Sequence, residues 1–167
     1  YYSGCGNSRW VAEEIAAATS DQLLFIPEVT QREFNIEEKS VGFVFPIYSW
    51  AAPLLVEQFI LSCKWHGTPQ YVWFACTCGD NIGYAYEKFS KTLKKAGLML
   101  DSGFTIQMPN TYLLMKGFHL DSPELTDQKL QAAKAKLPSL ISDIKSHKKG
   151  VKDVIKGRYA FTKTYII

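Results

Sequence analysis

Apolar residues follow two alternating rhythms along this chain. Short unbroken runs occur at Leu23-Leu24-Phe25-Ile26, Val41-Gly42-Phe43-Val44-Phe45, Tyr71-Val72-Trp73-Phe74-Ala75-Cys76 and around Phe104-Thr105-Ile106. Proline closes three of them, at Pro27, Pro46 and Pro109, and Thr77-Cys78-Gly79 closes the other. Such runs, without polar alternation, predict strands buried on both faces, as in a parallel sheet covered by helices. Tyr1-Tyr2 reads as the stub of a fifth strand that residues upstream are expected to complete.

Between the runs the spacing becomes helical. Val11, Ile15 and Ala18 recur on one face; Ala52, Leu55, Phe59 and Cys63 on another. Ile82, Tyr86, Phe89, Leu93 and Ala96 make the cleanest stripe, with Gly97 placed as a C-cap. Leu130, Ala133, Leu137, Ile141 and Ile144 make the last, and Pro138 within it predicts a kink or interruption. Glu28 to Ser40 is polar and weakly patterned, which predicts a loop or short helix.

This alternation predicts a three-layer, doubly wound α/β fold with a five-stranded parallel sheet in the order 2-1-3-4-5. Ligands of such sheets bind at the carboxyl ends of the strands. Three loops of unusual composition fall there: Ser3 to Ser8, Pro46 to Pro53 and Thr77 to Gly83.

Composition narrows the classes. The 167 residues are 47% apolar, enough for one domain with a real core. Net charge is +3, and the lysines at 145, 148, 149 and 152 read as a solvated face, so no nucleic-acid partner is expected. Cys5, Cys63, Cys76 and Cys78 read as reduced thiols in a cytoplasmic setting. No apolar run reaches the length of a membrane span, and no signal peptide is read. Cys76 and Cys78 lack partners in a Cys-x-x-Cys or paired-histidine spacing, and His66, His119 and His147 are isolated, so no metal site is expected. The apolar ending from Arg158 to Ile167 suggests a piece of a longer chain. Residues 1–147 are expected to form the domain, and residues 148–167 an extension leading to a downstream one.

The opening loop, Tyr1-Tyr2-Ser3-Gly4-Cys5-Gly6-Asn7-Ser8-Arg9-Trp10, carries the chemistry. A phosphatase reading makes Cys5 a nucleophile. Such loops run Cys-x5-Arg, whereas only three residues separate Cys5 from Arg9, and the chain has no Asp-Pro to supply a general acid. A phosphate cradle needs less. Gly4 and Gly6 let the backbone approach an anion, the amides of Cys5 to Arg9 open a helix, and Ser3 and Ser8 add hydroxyls. Arg9 reads as solvent-facing.

Ser3-Gly4-Cys5-Gly6-Asn7-Ser8 resembles the phosphate loop of flavodoxins, which reads Ser/Thr-x-Thr-Gly-x-Ser/Thr. With "FVFPIYSW" and "CTCGDNIG" in the expected order, the chain is similar to the flavodoxin-like modules often followed by an iron-sulfur ferredoxin domain. The resemblance covers residues 1 to about 146 and implies bound FMN and electron transfer. It implies FMN contacts from Ser3, Gly4, Cys5, Gly6, Asn7 and Ser8; from Pro46, Ile47, Tyr48, Ser49, Trp50 and Ala51; and from Thr77, Cys78, Gly79, Asp80, Asn81 and Gly83. Tyr48 and Trp50 are placed to stack on the ring, and Asn81 to bond its polar edge. Asp80 has a second role open to it, capping the next helix. Two positions depart from the family: Cys5 stands where threonine is usual, and Ala51 where many relatives carry glycine.

No catalytic acid, base or nucleophile is assigned, since electron transfer needs none. The expected partner is a ferredoxin or other iron-sulfur protein, in the same full-length chain or separate. The alternative is an NAD(P)H-dependent flavin or quinone oxidoreductase on the same fold; a third reading is a binding module without flavin. A redox pairing of Cys5 with Cys78 is a further, weaker reading. Met108 to Phe118 starts at the same crevice, and reads equally as a flavin cover, a docking surface or a loop packed on the core.

Overall fold

Three of the apolar runs become the centre of a parallel sheet in the computed structural model, which describes residues 1–111 and 119–158. They form β2 (Ser40–Pro46), β4 (Tyr71–Cys78) and β5 (Ser102–Gln107). Every residue of β4 is buried, as a strand covered on both faces requires. β2 pairs with β4 from Ser40↔Tyr71 to Pro46↔Thr77, and β4 pairs with β5 from Trp73↔Ser102 to Cys78↔Gln107.

Alternate strand residues feed two cores. Phe43, Phe45, Val72, Phe74 and Cys76 face one side, against α2 (Leu54–Ser62) and α3 (Ala85–Lys95). Val44, Tyr71, Trp73, Ala75, Phe104 and Ile106 face the other, against α1 (Asn7–Thr19) and α4 (Pro123–Lys145). Helices therefore cover both sheet faces, in an α/β architecture. Phe45, Phe74 and Phe89 form the centre of the first core, with ring centroids 4.6 to 5.6 Å apart.

The strand set differs from the expected order 2-1-3-4-5. The described residues give a four-stranded sheet, β2-β4-β5-β6, and a separate two-stranded one, β1-β3. The short strands are β1 (Glu33–Asn35), β3 (Lys64–His66) and β6 (Lys152–Asp153). β1 and β3 are held by a Lys64–Glu33 ion pair at 2.8 Å and by Phe34 stacked on Trp65 at 5.1 Å. Glu28 to Ser40, expected as loop or short helix, thus contributes β1 and the start of β2. β6 adds to the far edge of β5, through Gly103↔Lys152 and Phe104↔Asp153. Lys152 and Lys156 both reach Glu87 of α3, at 3.0 and 3.1 Å.

Leu23 to Ile26 forms no regular strand, because Ile26–Glu28 turns into one turn of 3-10 helix around Pro27. Tyr1-Tyr2 is likewise unassigned, yet it is anchored on both sides. The Tyr1 ammonium donates to Leu24 O, Ile26 N–H donates to Tyr1 O at 2.8 Å, and Tyr2 N–H donates to Val44 O at 2.9 Å.

The helices follow their stripes with local shifts. In α2 the buried residues are Val56 and Ile60, whereas Leu55 is exposed. α3 ends as its glycine predicts: Gly97 has φ +81°, its N–H reaches Lys94 O, and Leu98 N–H reaches Leu93 O. α4 is continuous through Pro138, which lies on its exposed side, so the expected interruption does not occur. The carbonyl of Lys134, which Pro138 leaves without its helical donor, lies on that exposed side and is open to solvent.

No helix among the described residues is long and apolar enough to cross a membrane. Tyr112 to Phe118, within the segment read as flavin cover, docking surface or packed loop, lies outside the described residues.

Candidate functional site

The carboxyl ends of β2 and β4 and the start of α1 bring the three loops together. Pro46 is in register with Thr77, and Ile47 N–H donates to Thr77 O at 2.8 Å, tying the second loop to the third. Ser8 Oγ and Thr77 Oγ1 are 2.8 Å apart, tying the first loop to the third. Gly4 lies under Tyr48: a Cβ on Gly4 would stand 2.6 Å from the Tyr48 hydroxyl, so a larger residue there would push that ring aside.

In the first loop, Gly6 N–H donates to Ser3 Oγ at 3.1 Å, folding the loop on itself. Gly6 precedes α1 with φ +94°, a conformation open to glycine and strained for other residues. No side chain caps α1, and its first turn holds no carboxylate. The amides of Asn7, Ser8 and Arg9 have no acceptor in the protein among the described residues, as at any helix start without a cap. Beside them lies a cavity of about 410 Å³ lined by Tyr1, Ser3, Gly4, Gly6, Arg9, Phe25 and Glu28.

Side chains here divide by direction. Cys5 is an exposed free thiol. Asn7 Nδ2 donates to Pro109 O at 3.4 Å. Ser8 is buried and its hydroxyl is engaged with Thr77, so it serves the packing of α1 on β4 rather than the mouth of the loop. Arg9 is exposed and pairs with Glu13 at 2.7 Å.

The second loop is a tight hairpin turn. Tyr48 and Ala51 exchange both backbone bonds at 3.0 Å, and the two central residues, Ser49 and Trp50, have φ +47° and +56°. This is the type I′ pattern, which favours Asn-Gly; here two residues with side chains carry it. Strain of this kind persists only where surroundings over-determine it. Gly83, at φ +54°, faces Trp50: a Cβ there would lie 3.1 Å from Trp50 Cβ. Tyr48 remains 46% exposed and meets Tyr2 edge-on at 6.3 Å. Burial of its hydroxyl, then its bond to Tyr2, push the phenol up to about 12.

The third loop is fastened at its base. Lys129 Nζ donates to Gly79 O at 2.7 Å and to Asp121 Oδ2 at 2.6 Å, and Asp121 accepts the Asn110 N–H at 2.9 Å. Both charged side chains are largely buried, at 14% and 10% exposure. Burial alone would raise the Asp121 carboxyl; the bonds from Lys129 and Asn110 outweigh it and hold it below its usual range. No local pattern announced this clasp, whose members come from a loop, a helix start and a strand end.

Asn81 is not brought to the shared rim. It is buried, its amide donates to Asp80, and Gly157 packs on it so closely that a Cβ would lie 2.5 Å from Asn81 Cγ. Ile82 N–H donates to Ile155 O at 2.9 Å, so the segment after β6 covers this part of the loop. Asp80 does not cap α3, whose N-cap position is Tyr84 and which has no side-chain cap. Cys76 and Cys78 are buried on one sheet face, and burial, then the Asp80 charge, raise the Cys78 thiol to about 12. Cys5 and Cys78 are both free.

Compared with protein-family models the chain matches none, and no curated protein matches it.

Proposed function

We propose that this chain is an FMN-binding electron-transfer domain of flavodoxin type. The observation that carries the reading is the uncapped start of α1: a glycine at φ +94°, free amides and no carboxylate in its first turn, in a loop that two further loops meet through Ser8–Thr77 and Gly4–Tyr48. Backbone donors and the helix dipole at such a mouth suit a phosphate monoester. The residues fit the group at that end. At the ring end, exposed Tyr48 and the strained Ser49-Trp50 turn supply aromatic surface. Asn81 falls outside the fit, because it is covered.

Bound FMN would supply the redox chemistry. The chain's own tasks are to grip the phosphate with the Asn7, Ser8 and Arg9 amides and the Ser3 hydroxyl, to wall the ring with Tyr48 and Trp50, and to limit water at its edge. The three bonds that hold Tyr1-Tyr2 between Leu24–Ile26 and Val44 run in the sense that the order 2-1-3-4-5 requires, which supports the flavodoxin-type arrangement. An iron-sulfur protein or domain fits as partner, since electron transfer asks for an exposed ring edge rather than a substrate pocket.

Titration of the purified chain with FMN, followed by flavin fluorescence, tests this. Saturable quenching with one FMN per chain is the expected result; no binding at 100 μM FMN, roughly the weakest affinity useful to a resident cofactor, would overturn it. Adding NADPH to the loaded protein separates carrier from reductase: rapid bleaching would favour the oxidoreductase.

A further inference from the structure

The lysines of this chain are unevenly neutralised. Lys64, Lys129, Lys136, Lys148 and Lys149 each reach a carboxylate, and Lys152 and Lys156 share Glu87. α3 differs. Its eleven residues hold four lysines and one acid, Glu87. That acid is taken by Lys152 and Lys156, and among the described residues Lys88, Lys91, Lys94 and Lys95 make no ion pair. Glu57, on the neighbouring α2, accepts from Thr92 Oγ1 at 3.3 Å instead.

Buried Ala85, Phe89, Thr92 and Leu93 turn one side of α3 to the core, which leaves the lysines facing out. Lys88, Lys91 and Lys95 follow each other at i, i+3 and i+7, a stripe about 10 Å long. Like charges at these spacings repel. The stripe starts one turn into the helix, beside the third loop, which Gly83 and Tyr84 join to α3. The aromatic rings alongside already carry ammonium groups: Lys152 lies over Tyr86 at 4.4 Å and Lys156 over Tyr84 at 4.0 Å, so no platform is left for stacking bases. α3 shows no exposed large apolar side chain to insert into a bilayer. A straight row of cations on a packed helix is complementary to carboxylates on a folded protein.

We propose that the stripe of Lys88, Lys91 and Lys95 docks an acidic protein face, whose carboxylates supply the countercharge that this helix lacks. That the acidic protein is the electron-transfer partner rests on the flavin reading of the three loops; the docking itself does not. Charge then steers encounter to the side of the molecule where the third loop lies.

The probe is a two-iron, two-sulfur ferredoxin of acidic surface, titrated without flavin into the isotope-labelled chain at about 20 mM salt and followed by NMR. Saturable shifts concentrated on the α3 amides are expected, with affinity falling about tenfold at about 200 mM salt. The Lys88→Glu, Lys95→Glu double variant should bind at least about tenfold more weakly. The same charge change at Lys134 and Lys145, exposed on α4 across the sheet and unpaired among the described residues, should cost less than about twofold. Equal losses from the two double variants, or no binding at about 200 μM ferredoxin, would overturn the proposal. So would tighter binding to anionic phospholipid vesicles or to oligothymidylate, lost in the α3 variant, which would make a membrane or a nucleic acid the occupant. A chain that takes up no FMN yet binds the ferredoxin at α3 supports this proposal and overturns only the proposed function. In the FMN-loaded chain, reduction by the reduced ferredoxin should slow about tenfold in the α3 variant; an unchanged rate would strike the electron-transfer clause.

Discussion

Two helix starts differ in what they leave for others. α4 closes its own mouth: Ser122 accepts the Leu125 N–H at 3.2 Å, Pro123 opens the helix, and Glu124 sits in the first turn. α1 has a glycine in place of a cap and no acid in its first turn. A capped start is finished as structure; an uncapped one retains donors and partial positive charge for something outside the chain. The contrast separates residues that hold the fold from residues that face a ligand.

The sharpest way to break the contrast is at the clasp beside α4. Lys129→Met leaves the Asp121 carboxylate buried without its cation and should cost about 3 kcal/mol, a fall in Tm on the order of 10 °C. A loss under 1 kcal/mol in urea unfolding would mean that the clasp is solvated.

Giving α1 the chemistry of α4 comes next. Ser3→Asp keeps an acceptor for Gly6 N–H but places a carboxylate at the mouth. Fold should survive while FMN affinity falls about a hundredfold by charge repulsion. Unchanged affinity would remove the phosphate from this loop.

The Tyr1 ammonium gives a pH signature. Its folded pKa, about 6, lies below the ordinary value of 8.0, because burial disfavours the charge, so the unfolded chain binds more protons between those values. Stability of the chain beginning at Tyr1 therefore rises with pH from 6 to 8, by at most about 3 kcal/mol, and the penalty is full below 6. Arg9 and Glu28 line the adjoining cavity, and Asp21 and Lys39 line a second cavity that Tyr1 also borders, so their charges enter the same profile. Acetylating the Tyr1 nitrogen should flatten the slope; a slope that persists would assign it to those neighbours.

Smaller effects complete the set. Ser122→Ala should cost about 1 kcal/mol and leave FMN binding alone. Ser8→Ala should likewise cost about 1 kcal/mol through the lost Thr77 bond, with little change in FMN affinity, because that hydroxyl points inward. A large loss of FMN affinity in Ser8→Ala would return the hydroxyl to the phosphate.

Much of this architecture was legible locally. β2, β4 and β5 are long apolar runs because both their faces are buried, and burial writes itself into composition. Gly97 marked the end of α3 because the left-handed turn there excludes most side chains. The three loops were legible because strand ends place them on one side.

The chain's own order of residues therefore determined the α/β class, the central strands, the helices and the loop cluster, all of which follow from periodicity and turn chemistry within a dozen residues. Tertiary structure alone decided the rest. Glu33-Phe34-Asn35 and Lys64-Trp65-His66 are mixed in polarity and become strands only because they meet each other, 31 positions apart. Lys152-Asp153 becomes one only against the edge of β5. The same holds for Ser8 turning inward to Thr77, Asn81 disappearing beneath Gly157, and Lys129 reaching Gly79: each depends on which distant backbone arrives beside it, a matter of packing that no local pattern encodes.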